Sequence, residues 1–309
     1  MSEDIGSAAA WETLRGIPLF GKRDLNRATL TPLGRGQHNK VFKVTLSGEA
    51  YALRLGKRVK GDPEFYVREA HNLSIAARSG IGAPVAYFET GEGVLLTRFL
   101  DGISMTKEEF ADLGSVHRAG EALRGLHSCS EFSSRFDIFE RIRKREKRLA
   151  KARFSLPTEV ADMAKRSLPL REALAATTGD LAPCHNDGIP ANYIDMSTEM
   201  RLIDWQCAGQ GDPHWELAAL CVQSGFSPTQ EQALLRAYFE GKIDPFIRAR
   251  LTLHKAVCAY YWVVWHYDRI VRRKGEPEVN LRRAESWAVK ARTLLRSPDI
   301  RASREVLTK

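Results

Sequence analysis

Residues 184–196 read CHNDGIPANYIDM, and this short stretch carries a His, an Asp and an Asn at fixed separations. His185, Asp187 and Asn192 follow the pattern H-x-D-x-x-x-x-N. The Gly and the Pro between them are typical of turns, so one interpretation is a polar turn stabilised by its own Asn and Asp side chains. The other interpretation is a loop that holds a general base and a metal ligand close together. The flanking sequence distinguishes the two.

The segment after the loop ends in a second acidic group. NYIDMSTEMRLIDW predicts a small β-hairpin, and its last strand ends at Asp204 in the sequence LIDWQ. Because a hairpin returns the chain toward its starting point, we expect Asn192 and Asp204 to converge. Carboxylate and amide oxygens are hard ligands of the kind that Mg²⁺ prefers. These residues would suit a metal-binding loop, and a plain turn is the alternative that stays open at this point.

Upstream of the loop, the first part of the chain predicts a small sheet with one helix. Strand-like runs occur at ATLTPLG, KVFKVTL, AYALRLG, APVAYFE and GVLLTRFL, with a tight turn at residues 47–49. Between the third and fourth runs, PEFYVREAHNLSIAARSG has its apolar residues at helical spacing and ends at Gly80. From about residue 104 onward the apolar pattern is helical, interrupted by the hairpin. We therefore predict a sheet lobe over residues 1–99 and a helical lobe over residues 100–309.

Two features of the sheet lobe are suited to phosphate binding. In TPLGRGQHNKVFKV, Gly34 and Gly36 lie between two strands, and Asn39 follows them. A dinucleotide fingerprint needs a helix after its glycines, which leaves either a glycine-bearing cover over phosphates or a plain hairpin. On the third strand, Arg54 offers a planar fork for phosphate or carboxylate oxygens, with Glu69 on the helix as its natural partner. An ordinary ion pair is the alternative interpretation of these two residues.

The composition indicates a globular protein with enough apolar residues for a core, since 43% of the 309 residues are hydrophobic and 28% are charged. The longest apolar run, residues 256–265, is too short to span a bilayer, so we predict no membrane insertion. The N-terminus lacks the basic start and apolar block of a secretory signal. The five cysteines are scattered without a CxxC pair, which argues against zinc and disulfides. We therefore expect a cytoplasmic protein.

The formal net charge is +9, and much of the excess lies in residues 140–153 and 269–275. We predict that both runs are solvated faces of helices, with Leu or Ile on the other side. No zinc-finger, RNA-binding aromatic or helix-turn-helix motif accompanies them, so we expect no nucleic-acid partner. A contact of the basic helix at 140–153 with nucleic acid or an anionic membrane is the alternative, and it would show as salt-dependent binding.

The order of these motifs resembles the choline kinase and aminoglycoside phosphotransferase family, which shares the protein-kinase fold. The resemblance is carried by LGRGQHNKVFKV, YALRLG, REAHNLSIAARSGIGAPVAYFE, CHNDGIPANYI and LIDWQCAGQGDPHWELA. The H-N-D form of the loop and the I-D-W form of the metal segment are typical of this family, and Arg54 matches its choline kinase branch. Two departures from the protein-kinase pattern are Asn39 at the third glycine position and Asp204-Trp205-Gln206 in place of D-F-G. The resemblance implies an α+β, protein-kinase-like fold, with a small antiparallel-sheet lobe carrying one helix and a larger, mainly helical lobe.

The resemblance also implies a kinase that uses ATP and Mg²⁺ and transfers the γ-phosphoryl group to the hydroxyl of a small molecule. Within the catalytic loop 184–192, Asp187 would be the catalytic base. Asn192 and Asp204, the latter in the metal segment 202–206, would hold the metal. The remaining predicted site residues are Gly34, Gly36, Asn39, Arg54 and Glu69 for the phosphates of ATP, and His185 as the structural support of the loop.

The acceptor is suggested by CAYYWVVWHYDRI, in which Trp262 and Trp265 are three positions apart on one face of a helix. In choline kinases, a Trp-x-x-Trp on a late helix helps to form an aromatic wall around the trimethylammonium group, and aromatic faces suit such a cation. Core packing is the alternative role for both residues. Residues 280–282 read NLR where choline kinases place further aromatic residues, which favours ethanolamine, another amino alcohol or an uncharged acceptor.

We therefore predict choline or ethanolamine as the small-molecule alcohol substrate. Thiamine, an aminoglycoside or a sugar is the alternative within the same fold, and a nucleotide-binding scaffold without catalysis is the alternative outside it. Glu216 in DPHWELA is expected to stabilise helix packing rather than to hold a cationic substrate. The sequence leaves the oligomeric state open between a monomer and a homodimer.

Overall fold

The computed structural model describes residues 2–33, 39–57, 59 and 61–308. Its N-terminal part contains a five-stranded antiparallel sheet with the strand order β1-β2-β3-β5-β4. The strands are β1 (Thr29–Pro32), β2 (Lys40–Leu46), β3 (Glu49–Leu55), β4 (Val85–Glu89) and β5 (Val94–Arg98). All five predicted strands are therefore confirmed. Gly34 and Gly36, predicted to cover the phosphates, lie outside the described residues.

The turn between β2 and β3 lies where the sequence predicts it. Ser47 and Gly48 have φ angles of 53° and 82°, so both lie in the left-handed region. A two-residue turn with positive φ at both positions matches the twist of the adjoining strands, which is why hairpins favour it. The turn sets the register in which Phe42 pairs with Leu53 and Val41 pairs with Arg54.

The two faces of the sheet have different partners. Helix α2 (Phe65–Arg78) lies on the side to which Arg54 points, and helix α1 (Ser2–Gly16) packs on the opposite side. On that opposite side, Leu14 of α1 shares a buried cluster with Val44 and Leu53. Successive side chains of a strand point to opposite faces, so the neighbours Leu53 and Arg54 face different helices. One helix was predicted for this lobe, and α1 is a second one.

The C-terminal part is mainly helical. Its helices are α3 (Leu113–His127), α4 (Ile138–Lys151), α5 (Thr158–Ala176), α6 (Pro213–Ser224), α7 (Pro228–Tyr238), α8 (Pro245–Val271), α9 (Pro277–Leu295) and α10 (Asp299–Thr308). Helices α6 and α8 each begin with Pro after an Asp whose carboxylate accepts a hydrogen bond from the first turn, Asp212 from His214 N at 2.9 Å and Asp244 from Ile247 N at 2.7 Å. Asp as the capping residue and Pro at the first position both favour a helix start. Helix α8 lies at the centre of this lobe, where most of its residues are buried.

Helices α9 and α10 were not predicted. The buried face of α9 consists mainly of alanines, with Ala284, Ala288 and Ala291 followed by Leu295. These positions have helical spacing, but small side chains produce a weak apolar stripe in a sequence rich in charged residues. Contact with α8 buries this face and supplies the stability that the stripe alone does not indicate.

Short strands position the loop of interest. β7 (Ala182–Cys184) pairs with β10 (Gly209–Gly211), and β8 (Tyr193–Asp195) forms the predicted hairpin with β9 (Met200–Leu202). The loop 184–192 therefore connects two separate pieces of sheet. A further strand, β6 (Ile103–Ser104), pairs with β8. The division of the lobes between residues 99 and 100 stays a prediction; Phe99 N donates to Ala50 O of β3 at 3.0 Å, whereas Ser104 pairs with Ile194 of β8.

The basic helix α4 buries its apolar residues on the side away from its exposed charges, as the sequence predicts, but one of its arginines is largely buried as well. The side chain of Lys144 is 62% exposed, but that of Arg145 is only 12% exposed. Arg145 is directed at α8, where its guanidinium carbon lies 5.0 Å from the centre of the Tyr261 ring. In the second basic run, Arg269 is also buried. Among the described helices, none combines the length and the apolar character needed to cross a bilayer.

Candidate active site

The backbone of the loop 184–192 is held by a buried carboxylate. Glu216 of α6 accepts hydrogen bonds from His185 N at 3.1 Å and from Asn186 N at 2.6 Å. It also pairs with His127 Nε2 of α3 at 2.7 Å, and it has no exposed surface. Burial acts to raise the pKa of Glu216. The hydrogen bond and the charge of His127 outweigh this effect, together with His185 and the Asn186 amide, and lower the pKa below its ordinary value. Glu216 is therefore an anion that fixes the loop, as its expected structural role requires.

His185 ties the loop to the metal segment. Its ring is fully buried, Nε2 lies 2.8 Å from Ile203 O, and the ring meets the edge of Trp205 with centroids 4.9 Å apart. Because Ile203 precedes Asp204, this contact sets the position of the segment relative to the loop. The placement supports the expected role of His185 as a structural support.

Asn192 and Asp204 meet at the base of the hairpin. Ile203 N donates to Asn192 O at 3.0 Å, which closes the pair of strands next to both residues. The side chain of Asn192 turns back to the loop, where Nδ2 donates to Asp187 O at 3.2 Å. Asn192 and Asp204 line one cavity, as the sequence predicted for their convergence.

The local environment of Asp187 favours its protonated form. Burial is the main cause and raises the pKa of this carboxyl above its ordinary value. Electrostatic interaction with His185 and the Asn192 amide lower the pKa of Asp187, whereas the negative charge of Asp204 raises it. A carboxylate with a raised pKa is a stronger base than an exposed one, provided that it is ionised.

Asp204 has a strained backbone and a free carboxylate. Its φ and ψ are 68° and 69°, in the left-handed region that residues other than Gly seldom occupy. Within the described residues, its exposed carboxylate makes no hydrogen bond and no ion pair. Strain of this kind is common where a side chain must be aimed at a ligand. The oxygen donors of Asp204 and Asn192 fit a Mg²⁺ ion, which prefers such hard ligands.

Arg54 and Glu69 form a two-point ion pair. Arg54 Nη2 donates to Glu69 Oε2 at 2.8 Å, and Nη1 donates to Oε1. Both residues are buried, and Arg54 also lines the cavity beside Asp204. Burial raises the pKa of Glu69, the bonds to Arg54 lower it, and the charge of Asp204 raises it again. The predicted pair therefore lies within electrostatic range of the predicted metal ligand.

The cavity lies between the sheet and the helical lobe and has a volume of about 450 Å³. Volumes of this size hold small-molecule ligands and cofactors. Its walls are largely apolar, with Leu95 of the sheet above and Leu202 of β9 below, and its polar end carries Arg54, Asn192 and Asp204. Asn39 lines it as well, and its Nδ2 donates to Gln206 Oε1 at 3.1 Å, which joins the start of β2 to the metal segment.

Trp262 and Trp265 belong to an aromatic cluster between α8 and α9. Their ring centroids are 5.1 Å apart, and Trp262 stacks on Trp287 at 5.9 Å with an interplanar angle of 21°. Both rings pack against the core of the lobe. Their neighbour Tyr261 is on the side of Asp187, whose negative charge contributes to raising the pKa of the Tyr261 phenol to about 12, although burial is the main cause. The role of Trp262 and Trp265 in acceptor binding stays a prediction.

One charged cluster near the loop was not predicted from the sequence. Asp212 accepts hydrogen bonds from Arg250 and, at 3.1 Å, pairs with His254 Nε2. Burial acts against the charge of Asp212, but His254, His214 and Arg250 together lower its pKa far below the ordinary range. The only signal in the sequence was the Asp-Pro pair that begins α6. The cluster links α6 to α8 and supports the position of Glu216.

Comparisons with known proteins agree on the fold. A family model described as the phosphotransferase enzyme family matches residues 29–253. A choline/ethanolamine kinase family protein from Mesorhizobium loti is 30% identical with a TM-score of 0.86, and the match covers 98% of this chain and 99% of that chain. The choline kinase LicA from Streptococcus pneumoniae is 20% identical with a TM-score of 0.71, over 92% and 98% of the two chains. Protein LicA of Haemophilus influenzae is 24% identical over 251 residues, which are 78% of this chain and 73% of that protein. The predicted kinase-like fold is confirmed.

Proposed function

Because the chain belongs to the phosphotransferase enzyme family, we propose that it transfers the γ-phosphoryl group of ATP, with Mg²⁺, to the hydroxyl of choline or a related amino alcohol such as ethanolamine. One observation carries the proposal: Arg54, Asn192 and Asp204 line the polar end of one cavity, and Asn192 Nδ2 donates to the backbone carbonyl of Asp187. The enzyme class, a phosphotransferase with an alcohol group as acceptor, is that of the family and its kinase relatives.

The cavity suits a nucleotide. Its apolar walls would hold the base, and Arg54 at its polar end would attract the phosphates. The guanidinium of Arg54 is already oriented by Glu69, so little freedom is lost when a phosphate oxygen arrives. Asn39 and Gln206 would close the cavity over the phosphates through their mutual hydrogen bond.

Asn192 and Asp204 would hold Mg²⁺ through one amide and one carboxylate oxygen. Bound there, the metal would neutralise the negative charge that develops on the phosphoryl group. Asp187 would orient the hydroxyl of the acceptor and accept its proton as the phosphoryl group leaves ATP. Glu216 and His185 would keep Asp187 in place, because they fix the backbone before and beside it.

The acceptor follows from two considerations. The most similar relatives reported above are named as choline kinases or as a choline/ethanolamine kinase family protein. In addition, the cluster of Trp262, Trp265 and Trp287 offers aromatic faces of the kind that bind an ammonium group. We further propose a cytoplasmic enzyme that has no nucleic-acid partner, which is compatible with its five free cysteines; its monomeric or homodimeric state is open to measurement.

A panel of acceptors tests the proposal. With ATP and Mg²⁺, ADP formation is expected with choline, ethanolamine or another amino alcohol, and not with thiamine, kanamycin or glucose. Turnover of one of the last three while every amino alcohol fails would reject the acceptor class. Binding of ATP without ADP formation above background for any acceptor would favour a nucleotide-binding scaffold.

The Arg54–Glu69 pair provides a prediction about stability. Arg54→Met removes the partner of a buried carboxylate, so we expect a loss of about 3–5 kcal/mol in the free energy of unfolding, since a broken buried pair leaves an uncompensated charge. Urea denaturation followed by circular dichroism measures this loss. The matched control is Arg68→Met on α2, the helix that carries Glu69. The Arg68 side chain is 32% exposed and pairs with Asp62. Surface pairs contribute at most about 1 kcal/mol, and equal losses in the two variants would contradict the prediction.

A further inference from the structure

Two arginines of α4 share one face of the helix, and one of them is directed at α8. Arg141 and Arg145 are one turn apart on the same face of the helix, and Arg145 Nη1 donates to Arg141 O at 3.0 Å. The Arg145 guanidinium lies against the ring of Tyr261, and the Arg141 guanidinium carbon lies 4.2 Å from the centre of the Phe136 ring. Aromatic contacts hold both guanidinium groups in place without neutralising them.

Two groups locate these arginines relative to the catalytic loop. Cys207 follows the metal segment, and Tyr261 belongs to α8. The pKa of each group is raised to about 12, mainly by burial, and the negative charge of Asp187 contributes to the rise. Arg141 and Arg145 lower the pKa of both groups. The same pair of groups therefore lies within electrostatic range of the base and of both arginines. Tyr261, on which the Arg145 guanidinium lies, meets the ring of Trp262 edge-on with centroids 5.4 Å apart. Arg145 is therefore one residue away from the aromatic cluster proposed above to bind the ammonium group.

The charges of this region do not balance within the described residues. Asp268, the nearest carboxylate to Arg145, is bound at two points by Arg148, at 2.7 and 2.9 Å. It remains 4.0 Å from Arg145 Nε, which is buried and has no hydrogen-bond partner. Glu146 is engaged by Tyr260 at 2.8 Å and by Arg171 at 3.2 Å.

Arg141 has even less compensation. Over the described part of the chain, its side chain makes no hydrogen bond and no ion pair. Its guanidinium lies over the ring of Phe136. Burial lowers the pKa of Arg145, and the neighbouring positive charges of Arg141 and Arg148 lower it further against the effects of Tyr261 and Asp268. Partly buried charges without a counterion are costly, so the pair is suited to an anion supplied from outside the chain.

From this geometry we propose that the acceptor carries an anionic group, a carboxylate or a phosphate, in addition to its hydroxyl, and that Arg141 and Arg145 bind this group. The inference rests on the function proposed above and narrows its substrate class. A guanidinium matches a carboxylate or phosphate with two parallel hydrogen bonds, which gives both affinity and orientation. An amino alcohol with a positive charge alone would be repelled by the two arginines, so zwitterionic amino alcohols are favoured over choline and ethanolamine.

Matched acceptor pairs test the proposal. In each pair the second compound adds one anionic group, a carboxymethyl, carboxylate or phosphate, to the first: choline and carnitine, ethanolamine and serine, ethylene glycol and glycerate, and glycerol and glycerol 3-phosphate, with both enantiomers where they exist. With ATP and Mg²⁺, we expect kcat/KM to be at least about tenfold higher for the anionic member of one pair or more, the factor that a single additional charge-assisted contact supplies. The last two pairs separate a carboxylate from a phosphate.

Variants connect the preference to the arginines. Arg141→Gln and Arg145→Gln are each expected to reduce kcat/KM for the preferred acceptor with the anionic group at least about tenfold, and for its partner without that group by less than about twofold. Arg145→Lys should recover part of the loss. Lys144→Gln, on the exposed side of the same helix, is the matched control and should change neither value. Melting curves by circular dichroism establish that each variant is folded.

The outcomes separate this inference from the proposed function. If the anionic members are no better than their partners and the Gln variants leave the ratio unchanged, the inference is overturned although the kinase activity stands. Calorimetric titration with the same compounds in the presence of a non-hydrolysable ATP analogue covers the case of no turnover. If an anionic compound binds and both Gln variants weaken its binding, the anion site at Arg141 and Arg145 is supported and the proposed phosphoryl transfer is rejected. If it binds and neither variant affects its binding, the anion site is overturned.

Discussion

Asp187→Asn is expected to reduce kcat by about 10²–10⁴-fold, the range that a positioned general base contributes. The amide has nearly the same shape as the carboxylate but cannot accept the proton of the acceptor. The backbone carbonyl of Asp187, to which Asn192 donates at 3.2 Å, is unchanged in the variant. The KM for ATP and the melting temperature should therefore change little. Steady-state kinetics of ADP formation measure the effect.

Asp180→Asn is the control for this variant, since Asp180 is an exposed carboxylate just before β7. It should retain full activity. A kcat for Asp187→Asn within about threefold of the unmodified enzyme would contradict the role of a base. The pH profile gives a second measurement: because the pKa of Asp187 is raised, kcat/KM should fall with decreasing pH at values above those at which an exposed aspartate titrates.

Asp204→Asn is expected to reduce kcat on the order of 10³-fold, because the loss of one metal-binding carboxylate removes several kcal/mol of charge stabilisation. Asn is the informative replacement here. Asp204 has φ of 68°, and Asn tolerates the left-handed region nearly as well as Asp, so the backbone should not change. Ala would add strain to the loss of the ligand. A titration of activity with Mg²⁺ should show a higher midpoint for the variant, and Mn²⁺ should restore part of the rate.

Asp101→Asn is the matched control, because Asp101 is an exposed carboxylate between Leu100 and Gly102, which both line the cavity. It should leave the midpoint for Mg²⁺ unchanged. An unaltered Mg²⁺ dependence in Asp204→Asn would show that this carboxylate does not hold the metal. Equal effects in both variants would indicate a general effect of charge near the cavity and would likewise contradict the assignment.

Local patterns predicted the elements that carry the chemistry. The alternation of apolar residues predicted the five strands of the sheet and the hairpin that brings Asn192 and Asp204 together. The order of Arg54 on a strand and Glu69 on the next helix predicted a pair that the structure contains. These features depend on neighbours in the chain or on adjacent elements, so a single sequence is sufficient to recognise them.

Helices with weak apolar stripes could not be predicted in this way. In α1, the contacts of Ala10 and Leu14 with the sheet provide the stability of a segment with several small and polar residues. In α9, alanines fill the narrow space next to α8. A small residue is compatible with a core, a surface or a loop, and only the partner element determines which of these it occupies.

The sequence by itself determined which reactive groups the chain possesses and how far apart they are along a loop: the carboxylate of Asp187, which we propose as the base, and the oxygen donors of Asn192 and Asp204, which we propose as metal ligands. The tertiary structure alone decided which other charges face them. Arg145 and Lys144 are adjacent in a run of basic residues, yet one is directed at Tyr261 and the other at solvent. The physical reason is that the cost of a charge depends on its burial and its partners, and these come from α8, more than a hundred residues further along the chain.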